Sequence, residues 1–136
     1  MFDGEEFERW VRQAEYTLRS ARADAESGFY SWTCFKAQHA AKFAVKGLLI
    51  GLGIPAYGHS TAKLLSILVS QGIEVPQEIL RIARVVDGFY IPARYPDAHV
   101  EGAPYEFYDK RDAEEAINFA EAILKFVMEV AKWKTE

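Results

Sequence analysis

Lys36, His39, Lys42 and Lys46 recur at spacings of three and four residues in this 136-residue chain, so one face of a helix would carry all four. Trp32, Phe35, Phe43 and Ile50 are interleaved with them. Cations hold phosphates and rings stack on bases, so a face of this kind suits a nucleotide, a single strand of RNA or a second subunit. It could instead pack against an acidic helix of the same chain, whose carboxylates would neutralise the stripe. The charge is distributed unevenly: residues 1–26 carry a net −3, residues 27–73 contain no acid and carry +4, and residues 74–136 carry −5. An anion or an acidic partner would therefore meet the middle of the chain.

Other chemistries lack their residues. No phosphate-cradling glycine loop, no His-Glu-x-x-His and no paired-thiol spacing occurs, and the three histidines are 20 and 40 residues apart. No metal or cofactor is indicated. Cys34 is alone and cannot form an intramolecular bridge, which agrees with a reducing cytoplasm. The N-terminus is acidic where a signal peptide needs basic and then apolar residues, and no apolar run reaches a membrane-spanning length. The expected location is the cytoplasm. One Asn and four Gln make heat-labile amides scarce, which fits a thermophilic source.

The elements that would position these residues read as helices. Phe7, Trp10, Val11, Ala14, Leu18, Ala21 and Ala25 mark an amphipathic helix from Glu5 to Ser27 that stops at Gly28. A second runs from Phe29 to Leu52, with Gly47 and Gly51 inside it and a core arc of Cys34, Ala37, Ala41, Ala44, Val45, Leu48, Leu49 and Leu52 that also takes in Gln38. Buried there, Gln38 needs hydrogen-bond partners. Ser60 or Thr61 caps a short third helix through Val69, and Pro76 opens a fourth with Ile79, Leu80, Ile82, Ala83, Val86 and Tyr90 inward. The fifth runs from about Asp109 or Asp112 to Trp133. With 50% hydrophobic residues and no period-two run, the chain is expected to be one all-α domain over residues 1–136, a mostly antiparallel up-and-down bundle of about five helices. The bundle does not need the stretch from Phe89 to Tyr108, where six aromatic residues and three prolines point to a functional crossover or a satellite core.

The run from Phe35 to Leu49, then Gly53, His59-Ser60, Leu64-Leu65, and Tyr90 followed by Ala93-Arg94-Tyr95-Pro96-Asp97, resembles the HEPN domain (higher eukaryotes and prokaryotes nucleotide-binding). The likeness extends over essentially the whole chain. One departure is Gln38-His39-Ala40-Ala41-Lys42, where the family often carries an acid before the lysine.

The resemblance implies a helical bundle that dimerises and is often paired with a small nucleotidyltransferase as the toxin half of a toxin–antitoxin system. On this reading His39, Lys42, Lys46, Tyr95 and Asp97 engage nucleotide or RNA. Many members are metal-independent ribonucleases using an Arg followed, four to six residues on, by a His, and Arg94 and His99 have that spacing. A neutral imidazole can take a 2′-hydroxyl proton while a guanidinium holds the phosphate. Pro96 opposes this by biasing Tyr95 to an extended conformation, so Arg94 and His99 need not share a face. The favoured role for Arg94 is then structural, paired with Asp97 or a carboxylate of the last helix. A non-catalytic adaptor is the remaining expectation. His59, just before a helix, reads as a cap or loop contact.

Overall fold

The structure, a computed structural model, describes residues 1–135. Five helices follow in order: α1 Gly4–Glu26, α2 Tyr30–Gly51, α3 Thr61–Ser70, α4 Gln77–Asp87 and α5 Lys110–Thr135. Among the described residues there is no strand, so the expected all-α bundle is what forms, with the ends of α1, α2, α3 and α5 within two residues of the sequence reading. No helix among them is long and apolar enough to cross a membrane.

The helix starts are set by side chains that satisfy otherwise orphaned amides. Asp3 Oδ1 accepts from Glu6 N at 3.1 Å. Ser60 Oγ accepts from Lys63 N at 3.1 Å, and Asp109 and Asp112 cap each other reciprocally at 2.9 and 3.0 Å. Gly28, at φ +83°, supplies the left-handed turn that ends α1 and returns the chain within three residues. α1 and α2 therefore form an antiparallel hairpin, with Asp3 N bonded to Gly51 O at one end and Thr33 Oγ1 to Ala21 O at the other.

α2 is the central helix, packed between α1 and α5. Gly47 and Gly51 allow the close approach: a Cβ on Gly47 would sit 2.6 Å from Trp10 Cβ, and one on Gly51 would sit 2.7 Å from the Phe2 ring. The core arc read from the sequence is buried from Cys34 to Leu49, with Leu52 half-buried. Leu48, Leu49, Leu64, Leu65 and Leu68 are fully buried beside Val86, Ile123 and Val127, each Leu contributing about 1.5–3 kcal/mol.

The crossover divides its rings between two tasks. Phe89 and Tyr108 meet edge-on at 6.0 Å and pack on the core, as a satellite cluster would. Tyr95, Tyr105 and Phe107 stay exposed, and short 3-10 turns form at Pro96–Ala98 and Pro104–Phe107. Tyr90 does not join the interior of α4 as the sequence suggested. It falls in the turns after Gly88, half-buried against α2.

Candidate functional site

Tyr90 is the hub of the site. Its ring stacks on His59 with centroids 4.9 Å apart and 17° between planes, and it meets Phe35 at 6.2 Å and His39 at 5.9 Å. Lys42 Nζ lies 5.0 Å and Arg94 Cζ 4.7 Å from its centroid. The ring's negative face attracts both cations. Residues from α2, from the link into α3 and from the crossover thus converge on one side chain.

Lys42 departs most from the sequence reading. Its place on the wheel opposite the core suggested an exposed lysine, yet it is 2% exposed. The crossover and His59 enclose it, and its Nζ lies 3.3 Å from His59 Nδ1. An ammonium can only donate, so this contact leaves the His59 proton on Nε2. Burial, with Lys46 and Arg94 adding repulsion, pushes the Lys42 pKa down to about 8. The Lys42 charge in turn lowers His59, with a smaller contribution from burial.

His39 sits in an i, i+4, i+8 row on α2, with Phe35 at 4.4 Å and Phe43 at 5.6 Å. Its Nε2 is buried without a hydrogen-bond partner among the described residues. Burial, then repulsion from Lys42 and Arg94, holds its pKa at about 4. It is a neutral ring at physiological pH.

The partner expected for Arg94 is corrected. Neither Asp97 nor a carboxylate of α5 takes it. Its Nε donates to Tyr90 O at 2.9 Å, and the guanidinium lies over Phe35, Tyr90 and Tyr95 at 4.3, 4.7 and 4.8 Å. Asp97 is exposed on the first 3-10 turn. Tyr95 is extended before Pro96, as expected, at φ −106° and ψ 123°. The chain consequently turns away: His99 Nε2 contacts Pro92 O at 2.6 Å and its ring stacks on Phe107 at 4.6 Å and 7°. Arg94 and His99 have different partners. A carbonyl only accepts, so Nε2 carries the His99 proton and Nδ1 is the basic nitrogen.

The basic stripe is split by folding. Lys36 turns to α1, where Asp24 Oδ2 at 2.7 Å and Ser20 Oγ at 2.9 Å take it, and Phe43 meets Trp10 at 6.1 Å. That half of the face packs within the chain, the alternative the sequence allowed. Lys46, half-buried, remains with Lys42 and Arg94. Among the described residues no carboxylate lies within 4.0 Å of these three cations.

Asp87, at the end of α4, is the nearby acid, and it is fully engaged. Its two oxygens accept from Thr61 N at 2.8 Å, Ala62 N at 3.0 Å, Ser60 Oγ at 3.0 Å and Gln38 Nε2 at 3.1 Å. It occupies the positive end of α3 as a bound anion would. Gln38 has the partners its burial demands, donating also to His59 O at 2.7 Å. Sequence reasoning took His59 only as a cap or loop contact and passed over Asp87 and the central role of Tyr90. The four-residue step from Tyr90 to Arg94 is the signal that could have found the last, since it lets Arg94 reach back to the Tyr90 carbonyl. Among the described residues no three His, Cys, Asp or Glu side chains gather as metal ligands would.

A family model described as the HEPN domain matches residues 7–130. The chain belongs to the HEPN family. Solved HEPN-fold structures agree along nearly their full length. A protein of Thermus thermophilus is 43% identical, with a TM-score of 0.88 over 91% of this chain and 97% of that one. An archaeal HEPN homologue is 44% identical, with a TM-score of 0.78 over 91% and 96%. A HEPN domain protein of Thermotoga maritima is 33% identical, with a TM-score of 0.74 over 91% and 98%. No curated protein matches this HEPN chain.

Proposed function

We propose that this HEPN protein engages the phosphate of a nucleotide or RNA at the Tyr90 cluster. In this reading it acts as a cytoplasmic homodimer, the partner of a small nucleotidyltransferase in a toxin–antitoxin type pair. The observation that supports the reading is the gathering of Lys42 and Arg94 on the Tyr90 ring, with Lys46 one turn along α2 from Lys42, and no carboxylate within 4.0 Å of the three among the described residues. Such cations, preorganised and partly desolvated, gain most from an incoming anion. Tyr95 offers a ring to a base, His39 is a neutral flank, and Asp97 lies exposed on the turn that follows Tyr95. For the dimer, support comes from a continuous strip in which Trp32 meets Phe35 at 6.0 Å and Arg94 bridges Phe35 to Tyr95, both outer rings being 47% exposed.

Lys46→Glu tests the site without touching the buried Lys42. Single-stranded RNA should bind the wild type with affinity that falls as salt rises, and the variant should bind about tenfold or more weakly with an unchanged melting temperature. Unaltered affinity would remove the site. Light scattering on the same samples should give twice the 15.4 kDa chain mass, and a monomer mass would remove the dimer.

A second reading, metal-independent ribonuclease, is favoured by one observation: the Pro92 carbonyl holds the His99 proton on Nε2 and so leaves Nδ1 as a base. Chelator-resistant RNA cleavage by the wild type, absent in His99→Ala, would establish it with Arg94 as the phosphate holder. No cleavage by the wild type would reject it.

A further inference from the structure

The cationic surface that remains after folding is a compact group. Lys36 is neutralised by Asp24, which removes one end of the stripe. Lys42 and Arg94 both lie within 5.0 Å of the Tyr90 ring, and Lys46 is one turn on from Lys42 along the same face of α2. A surface that follows a single strand instead distributes its cations along a groove several nucleotides long.

The charge of the group can be balanced residue by residue. Lys42, Lys46 and Arg94 are cations, while His39 is a neutral ring and His59 is lowered below the ordinary histidine range. The one acid joined to the group, Asp87, spends both oxygens on the start of α3 and on Gln38, so at most one of the three charges is offset. About two positive charges are left over. An internal phosphodiester brings one negative charge, whereas a phosphate monoester brings about −1.5 to −2 at neutral pH and has three terminal oxygens for donors. The donors also differ in kind, as such a group requires. Arg94 is fixed at Nε by the Tyr90 carbonyl and by three rings, which leaves both Nη groups as a planar fork, and Lys42 is a buried point charge.

We propose that the Tyr90 cluster is a phosphomonoester site, taking the terminal phosphate of a mononucleotide or of an RNA end in preference to an internal phosphodiester. The proposal rests on the phosphate-binding reading of this cluster and specifies which phosphate. Arg94 grips two oxygens of the terminal group, while the enclosed Lys42 acts through its charge from beneath and Lys46 supplies charge at the edge.

The test uses one RNA sequence of about ten nucleotides, long enough to span a single-strand site, in three forms: 5′-phosphorylated, 3′-phosphorylated and hydroxyl-ended. Fluorescence anisotropy with an internal label reads each affinity, and AMP and adenosine serve as competitors. At least one phosphorylated form should bind about tenfold or more tightly than the hydroxyl-ended RNA. AMP displacing the RNA where adenosine does not would place the ligand among free mononucleotides; preference for a phosphorylated end without AMP competition would place it at an RNA terminus. Either result supports the site. Equal binding of all three forms would overturn the monoester site while leaving the phosphate reading intact, and binding of none would overturn both. Arg94→Lys keeps the charge and loses the fork, and should reduce the preference for the phosphorylated end to about twofold; a preference kept at about tenfold would overturn the assignment of the fork to the terminal phosphate. If that variant fails to fold, Lys46→Gln on the surface should still lower affinity for the phosphorylated form more than for the hydroxyl-ended one, and the opposite order would overturn the proposal.

Discussion

A buried ammonium without a carboxylate destabilises a fold unless the position serves something else, and Lys42 is such a group. Its pKa of about 8, set first by burial and then by Lys46 and Arg94, is below the 10.5 ordinary for lysine. Between those two values the unfolded chain binds the proton more tightly than the folded one, so stability rises with pH across that window. Below about 8 both states are protonated and the destabilisation is fully present. Lys42→Met should therefore raise stability at pH 7 by about 1–3 kcal/mol and abolish the rise between pH 8 and 10.5, as urea melts at pH 7 and pH 10 would record. A variant less stable at pH 7 that keeps the same slope would refute this account. The lysine's burial was not legible in the sequence. A helical wheel places Lys42 opposite the core because it knows only α2, while the groups that cover it, Tyr90 and His59, arrive from segments without helical period. Its residue type and spacing were legible, and they placed it on one face of α2 with His39 and Lys46.

Among the elements, α2 shows how much periodicity can specify. Its core arc, the Gln38 exception and the neighbouring helix boundaries followed from apolar spacing and from capping residues such as Ser60 and Asp109. The two glycines within α2 looked like weaknesses in the sequence, and in the fold they are contact points. Gly47→Ala tests this, since two effects oppose each other there. Alanine favours an isolated helix by about 1 kcal/mol, but its Cβ would meet the rigid Trp10 Cβ at 2.6 Å, a clash no rotamer relieves. Overpacking should win, with a net loss of about 1–3 kcal/mol in denaturant melts, and a stabilised variant would show that α1 can retreat freely. The crossover was far less legible. Its prolines and rings announced that no long helix continues, yet they carry no period from which its path could be read. The expectation of an acidic partner for Arg94 failed for that reason: the extended Tyr95 leads into an exposed turn that carries Asp97 away from Arg94, and backward-reaching backbone and aromatic contacts prevail.

For the molecule as a whole, the order of motifs along the chain carried the family assignment, because packing α2 between α1 and α5 requires its alanines and glycines at fixed places. What no local motif carried was how the short helices are tied to the long ones. α3 has only 10 residues, too few to persist alone, and its first amides are bonded to Asp87, at the far end of the next helix. The same carboxylate holds Gln38 of α2. If this tie is what keeps α3 formed, the amide hydrogens of Thr61 and Ala62 should exchange with deuterium as slowly as those of the buried middle of α2, and Asp87→Ala should accelerate them by more than about tenfold while the amides of α1 change less. Fast exchange at Thr61 and Ala62 in the wild type would mean that α3 opens on its own. Under the first outcome α3 and α4 have no private melting transition: one carboxylate makes the two short helices open and close as a single unit, so the wall beside the Tyr90 cluster is either wholly in place or wholly gone.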